Sequence, residues 1–341
     1  MNAFRVVLAA SSLCGALTLL AGCASPTGTA PQPPSAATTN FTPEKRGSVT
    51  LYTDTFGDPA PQGIVAGPDN ALWFTDPGND VIGRITTTGQ YTLQKPVGAE
   101  VSVGITVGLD GALWFTIQQS EAQIGRMTTG GKVTLFPDGG GAYPQGITTG
   151  PDGALWFAES NGKVGRMTTK GRVKHFSVAP SDATLKGIVT GPDGALWVAQ
   201  YVVGGSRLSN QVIRVTTSGK KKSFTVGSGP QFICVGPDGA LWFTESGAGA
   251  IGRLTTRGAY REYPIESRSV VPVGIAAGPD GALWFTGGAQ VVRMTTAGRM
   301  KFYNVPGSAP ILDEIAAGPD GAMWFASAAA PAAIGRITTG R

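Results

Sequence analysis

The chain has 341 residues, 41% of them apolar, and a formal charge of +5 spread along its length, a balance that gives no footprint for nucleic-acid binding. One histidine leaves no His-rich metal spacing, and three cysteines leave no disulfide framework. The 51 glycines fall in short turns rather than in a phosphate-binding loop, and no G-x-S-x-G nucleophile elbow occurs in a strand-to-helix setting.

In chain order, residues 1–22 carry one early charge, Arg5, and an apolar run from Val6 to Leu20, the pattern of a secretory signal and short for a membrane span. The run ends in Leu20-Ala21-Gly22-Cys23, which resembles the bacterial lipobox. That resemblance implies lipidation of Cys23 and anchoring to a membrane of the bacterial cell envelope, facing periplasm or exterior. Residues 23–46 continue in Ser, Thr, Pro, Ala and Gln, which cannot bury enough surface to fold and predict a tether. A coil of that length spans ~25–30 Å.

From residue 47 to 341 the chain repeats itself. All seven tryptophans, Trp73, Trp114, Trp156, Trp197, Trp242, Trp284 and Trp324, sit in variants of the phrase G-P-D-G-A-L-W-F about 40 to 45 residues apart. The third copy shows the unit. Gly146–Thr149 reads as an inner strand, and Gly150-Pro151-Asp152-Gly153 as a tight turn in which Pro presets φ and Gly takes the positive φ. Ala154–Ala158, Val164–Thr169 and Val173–Phe176 follow as three more strands. Four short strands per copy and no helical period predict an all-β fold, a seven-bladed β-propeller with four-stranded blades. The last copy ends after its third strand, while Gly47–Tyr52 reads like the outer strands Gly131–Phe136 and Gly298–Tyr303. The N-terminal strand is therefore expected to complete the last blade and hide two sheet edges. Tryptophan and the recurrent arginine (Arg84, Arg126, Arg166, Arg214, Arg253, Arg293, Arg336) are assigned to blade packing, because every blade has them. The run Lys220–Lys222 reads as a solvated rim, and Cys234 as part of an apolar inner strand.

Within so regular a repeat, variable positions mark a candidate site. One precedes the Gly-Ile of each inner strand: Gln62, Val103, Gln145, Lys186, Gln231, Val273 and Asp313. The other lies three residues after each tryptophan and includes Asp76, Glu159 and Glu245. Both are expected at the channel mouth, where Gln62 would pair with Asp76, Gln145 with Glu159 and Gln231 with Glu245, and where Lys186, Asp313 and Glu314 add charge. A mouth of this kind suits a carbohydrate, a peptide or a small molecule. The segment Tyr201–Gln211 is longer than its counterparts and is a candidate lid.

The phrases Gly236–Glu245 and Ile82–Gly89 closely resemble the repeats of the virginiamycin B lyase (streptogramin lyase) family, over nearly all of 47–341. The resemblance implies the propeller and, for the family, opening of a cyclic peptide antibiotic by elimination with Mg²⁺ and a histidine base. It places the family's essential histidines at Val273 and Asp313, an acid at Ile311, and a metal ligand in the region of Ala326, Ser327 and Ala328. The single histidine, His175, falls on an outer strand and is expected to be a surface residue. The sequence thus predicts a monomeric, lipid-anchored binding propeller without cofactor or bound metal. Two other readings stand beside it: a carbon-oxygen lyase acting on a different substrate, with Asp313, Glu314 or Lys186 as base and Mg²⁺ as cofactor, and a protein-interaction scaffold.

Overall fold

A computed structural model describes residues 45–53, 59–94, 100–118, 121–140, 142–202, 209–307, 311–328 and 332–340. The signal segment, Cys23, almost all of the tether and the middle of the Tyr201–Gln211 loop lie outside the described residues. Each repeat starts from its turn. In the third, Gly153 N–H donates to the Gly150 carbonyl and Gly150 N–H to that of Ala154, with Gly153 at φ 73°. In the first copy Asn70 holds this position at φ 56°, the left-handed region that Asn tolerates best after Gly.

These reversals build seven four-stranded antiparallel sheets around one axis. Blade 3 consists of Pro144–Thr149, Leu155–Glu159, Lys163–Met167 and Val173–Ser177, in that order from the centre outward. In blade 7, Val49–Thr53 supplies the outer strand, pairing Val49 with Ile337 and Thr53 with Ala333. The fold is the expected seven-bladed propeller closed by its N-terminal strand.

All seven tryptophans are fully buried, and one triad holds each of them. In blade 3, Asp152 of the turn accepts Trp156 Nε1–H on Oδ1 at 2.9 Å and Arg166 Nε–H on Oδ2 at 2.6 Å. The same two bonds recur from Asp69 to Asp320 in the other six blades. Burial alone would raise the Asp152 pKa, but the indole and guanidinium donors outweigh it and hold the carboxyl below its usual range. The constant Asp, Trp and Arg therefore serve the scaffold, as their constancy implies.

The blades join through that indole. Trp156 packs on Leu196, Val198 and Ile213 of blade 4, and Trp324 of blade 7 packs on Leu72 and Phe74 of blade 1, so the seam that closes the ring is built like the others. In blade 3, as in most blades, the phenylalanine after the tryptophan takes the space left by the glycine of the third strand, whereas in blade 6 Phe285 faces Val292. A Cβ on Gly165 would lie 2.1 Å from the Phe157 ring. In blade 4 the smaller Val198 lies opposite Ile213, so volume moves from one strand to its neighbour.

Candidate functional site

The inner strands do not run flat into the channel. In blades 2 to 7 each shifts register just before its isoleucine, as between Pro144 and Ile147 or Leu185 and Ile188. Buried threonines two residues after the tryptophan pin this bulge in several blades. Thr116 Oγ1 accepts Gly104 N–H, Thr244 Oγ1 accepts Phe232 N–H and Thr286 Oγ1 accepts Gly274 N–H. A bulge re-aims the residue beside it, here into the axis of the ring. The glycines also let adjacent inner strands approach. A Cβ on Gly104 would sit 2.3 Å from the carbonyl oxygen of Gln145 in the next blade.

The channel that results has an empty volume of about 810 Å³, counting the part open to solvent. Its polar lining is Gln145, Lys186, Gln231 and Glu314, and below them stands a ring of isoleucines that includes Ile105, Ile147 and Ile188. Lys186 Nζ donates to Gln145 Oε1 at 3.1 Å across the seam between blades 3 and 4, and burial lowers its pKa. Gln231 Nε2–H donates to Ser246 Oγ. Glu314, at a position that is glycine in every other blade but the fifth, points at the seam with blade 1 and accepts Ile64 N–H at 3.4 Å. Burial, reinforced by the neighbouring Asp313, pushes its pKa up to about 8, and burial pushes Asp313 to about 6. The Gln62 main chain donates to the Thr75 carbonyl and accepts Glu314 N–H, and Asp313 is half-buried; neither residue lines the channel.

The acidic half of the expected mouth lies elsewhere. Asp76, Glu159 and Glu245 are fully buried and line no part of the channel. They end the second strands, whose last side chains turn under the connection arriving from the preceding blade. Asp76 accepts Ala60 N–H and Asn79 Nδ2–H, and Glu245 accepts Tyr260 Oη–H. The pairing of Gln145 with Glu159 and of Gln231 with Glu245 does not occur, because each glutamine follows its inner strand into the axis while each acid stays inside the blade.

His175 corrects a second expectation. It is on the outer strand and outside the channel lining, but it is half-buried rather than a surface residue. Its Nδ1 lies 3.0 Å from Glu159 Oε2 and its Nε2 2.8 Å from the Asp138 carbonyl. With an acceptor facing each nitrogen, the ring donates twice, the arrangement of the charged imidazolium. The Glu159 hydrogen bond accordingly raises its pKa. Burial moves Asp138, beside it, up to about 6.

These shifts share a sign. Asp138, Asp313, Glu245 and Glu314 all have folded pKa values above their unfolded ones, at about 6, 6, 7 and 8. Raised pKa values contribute stability that is complete below the unfolded values near pH 4 and is lost as pH rises through the folded ones. Melting temperature should therefore fall between pH 5 and pH 8.5 by a few degrees, on the order of 2–4 °C for each kcal/mol lost in a domain of this size. A thermal melt of Glu314→Gln across this range should show a shallower fall above pH 7, and an unchanged slope would remove Glu314 from the account.

The site's ionisable groups do not fit a divalent cation. Among the described residues no three His, Cys, Asp or Glu side chains cluster as metal ligands. Of the two adjacent acids, Glu314 already holds a backbone amide and is largely protonated at neutral pH. Val273 and Ala326 bring no donor side chain, and Ile311 none either. The isoleucine ring is not among the expected channel groups, although its signal is in the sequence: an isoleucine follows the variable position by two residues in all seven copies.

The model of the virginiamycin B lyase family matches residues 42–204 and 175–341. A solved streptogramin B lyase is 28% identical with a TM-score of 0.78, over 86% of this chain and 98% of its own. A catalytically inactive histidine-to-alanine variant of virginiamycin B lyase from Staphylococcus aureus, solved with quinupristin, is 30% identical with a TM-score of 0.77, over 85% and 99%. A putative gluconolactonase, 18% identical with a TM-score of 0.55, shares the fold alone. No curated protein matches the chain by sequence.

Proposed function

The chain belongs to the virginiamycin B lyase family, and from that premise we propose that it is an exported lipoprotein that binds an envelope or extracellular ligand at its channel mouth without performing the family's elimination. The ligand is a carbohydrate, a peptide or a small molecule. The observation that carries this reading is the place of the only histidine. Elimination needs a base of near-neutral pKa within reach of a carbon-bound proton. His175 is tied by both nitrogens under a blade connection, outside the channel lining, and its neighbours favour its charged form. The residues facing the ligand, Gln145, Lys186 and Gln231, are hydrogen-bonding groups suited to recognition. Lipidation at Cys23 through the Leu20–Cys23 lipobox would hold the ring at the membrane.

A second reading has one observation in its favour. Asp313, outside the channel lining but next to the lining residue Glu314, has a pKa pushed by burial to about 6, which suits a general base and would support a carbon-oxygen lyase acting on a different substrate. The two readings separate in one assay. Purified protein incubated with a cyclic depsipeptide, with and without Mg²⁺, should leave the ring intact by mass spectrometry, while labelled palmitate is incorporated into the wild type and not into Cys23→Ser. Ring opening that disappears in Asp313→Asn would overturn the non-catalytic proposal, and palmitate retained by Cys23→Ser would overturn the anchor.

A further inference from the structure

The channel holds a charge without a counter-charge. Lys186 is the only cation in its lining, half-buried, and its hydrogen-bond partner is the neutral Gln145 Oε1. An ammonium has three protons to donate, and one carboxamide oxygen leaves it undersatisfied in a partly desolvated setting. It makes no ion pair among the described residues. Glu314, the one acid of the lining, stands three blades further round and is engaged by Ile64 N–H. Being largely protonated at neutral pH, it neither neutralises Lys186 nor repels an anion.

The channel around Lys186 has an apolar floor. Below it runs the isoleucine ring, each member less than one-tenth exposed, with Phe232 beside it. Above, on the face where the blade connections arrive, Tyr143, Val271 and Ile311 are 53%, 52% and 65% exposed. All three occupy the same repeat position, three residues before Gly146, Gly274 and Glu314, and among the described residues only one other large apolar side chain, Leu109, is this exposed. The channel thus offers a ligand one cation flanked by carboxamides above an apolar floor, and the face it opens on carries three exposed apolar side chains.

We infer that the channel is a receptor for a carboxylate that terminates an apolar chain, with the carboxylate on Lys186 and between Gln145 and Gln231, and the chain against the isoleucines. The inference rests on the proposed binding function and names its ligand chemistry. A free fatty acid and the C-terminus of an apolar peptide both offer that chemistry.

Calorimetric titration of the purified protein with decanoate, with a short peptide ending in a free leucine carboxylate, and with the corresponding amides tests it. At least one acid should bind roughly tenfold or more tightly than its amide, the difference expected of one charge-assisted hydrogen bond, and which acid does so identifies the source. In Lys186→Gln the acid should lose this advantage while the thermal melt stays unchanged, and Lys186→Arg should keep it. Equal binding of acid and amide to the wild type, binding of neither acid, or an acid preference that survives in Lys186→Gln would each overturn the inference. The comparison of acid with amide needs no variant, so a misfolded substitution does not leave it open. These outcomes are also separate from failure of the parent reading, which is decided by ring opening of the depsipeptide.

Discussion

Deleting Gly47–Thr53 should abolish the monomeric ring, giving a protein that self-associates and no longer melts in a single transition. The segment leaves the last blade with three strands and bares the Ala333–Ile337 edge, whose partners are Val49 through Thr53. Packing is lost with it. Tyr52 stacks on Trp324 at 5.5 Å with 11° between the rings, and Val49 and Leu51 lie against the cluster of Trp284 and Phe325. An unpaired edge of apolar strand recruits other chains, which is why closure matters more here than the few residues suggest. Light scattering should show oligomers of the deletion variant, and calorimetry a broad, weakened transition. Attaching the same segment after Arg341 through a short flexible linker should restore a single transition, since the strand then reaches the same edge from the other terminus. A monomeric deletion variant with an unchanged melt would show that the seam does not depend on this strand.

Replacing one repeated tryptophan should be nearly as damaging. Trp156 has no exposed surface, stacks on Phe176 at 5.4 Å and fills the seam against Leu196, Val198 and Ile213. Trp156→Ala should cost about 3–5 kcal/mol, a transfer loss plus a cavity that rigid neighbouring sheets cannot close. In a domain of this size that is a fall on the order of 10 °C in melting temperature. Trp156→Phe keeps the ring stack and loses the indole donor to Asp152, which leaves the carboxylate Arg166 and the Ala154 amide and should cost about 1–2 kcal/mol. The ordering of the two variants is the test. Equal losses would mean that the hydrogen bond dominates over packing, and losses below about 1 kcal/mol in both would remove the indole from the blade seam.

The repeat made the fold legible because the physics that builds one blade is written seven times. Asp152, Trp156 and Arg166 form a triad that local spacing nearly dictates, the aspartate ending the turn four residues before the indole it accepts. Gln145, Lys186 and Gln231 were also legible as channel residues, since they break a pattern at a fixed place on a strand that must face the axis. Asp76, Glu159 and Glu245 break the pattern equally and yet lie inside the blades. Variation alone does not say which way a side chain turns. That depends on the bulge before each isoleucine and on how each blade connection folds over the strand end, and both are set by contacts distant in sequence, such as His175 with Glu159 and Asp138.

The sequence by itself determined the number of blades, the strands within each and the use of the N-terminal strand to close the ring, because these follow from short-range turn chemistry and a repeated apolar pattern. Only the tertiary structure decided which polar groups face the channel. Burial, the direction of a bulge and the charge state of Lys186, Glu314 and His175 are properties of neighbours brought together by the ring, and the same residue types one strand away become scaffold.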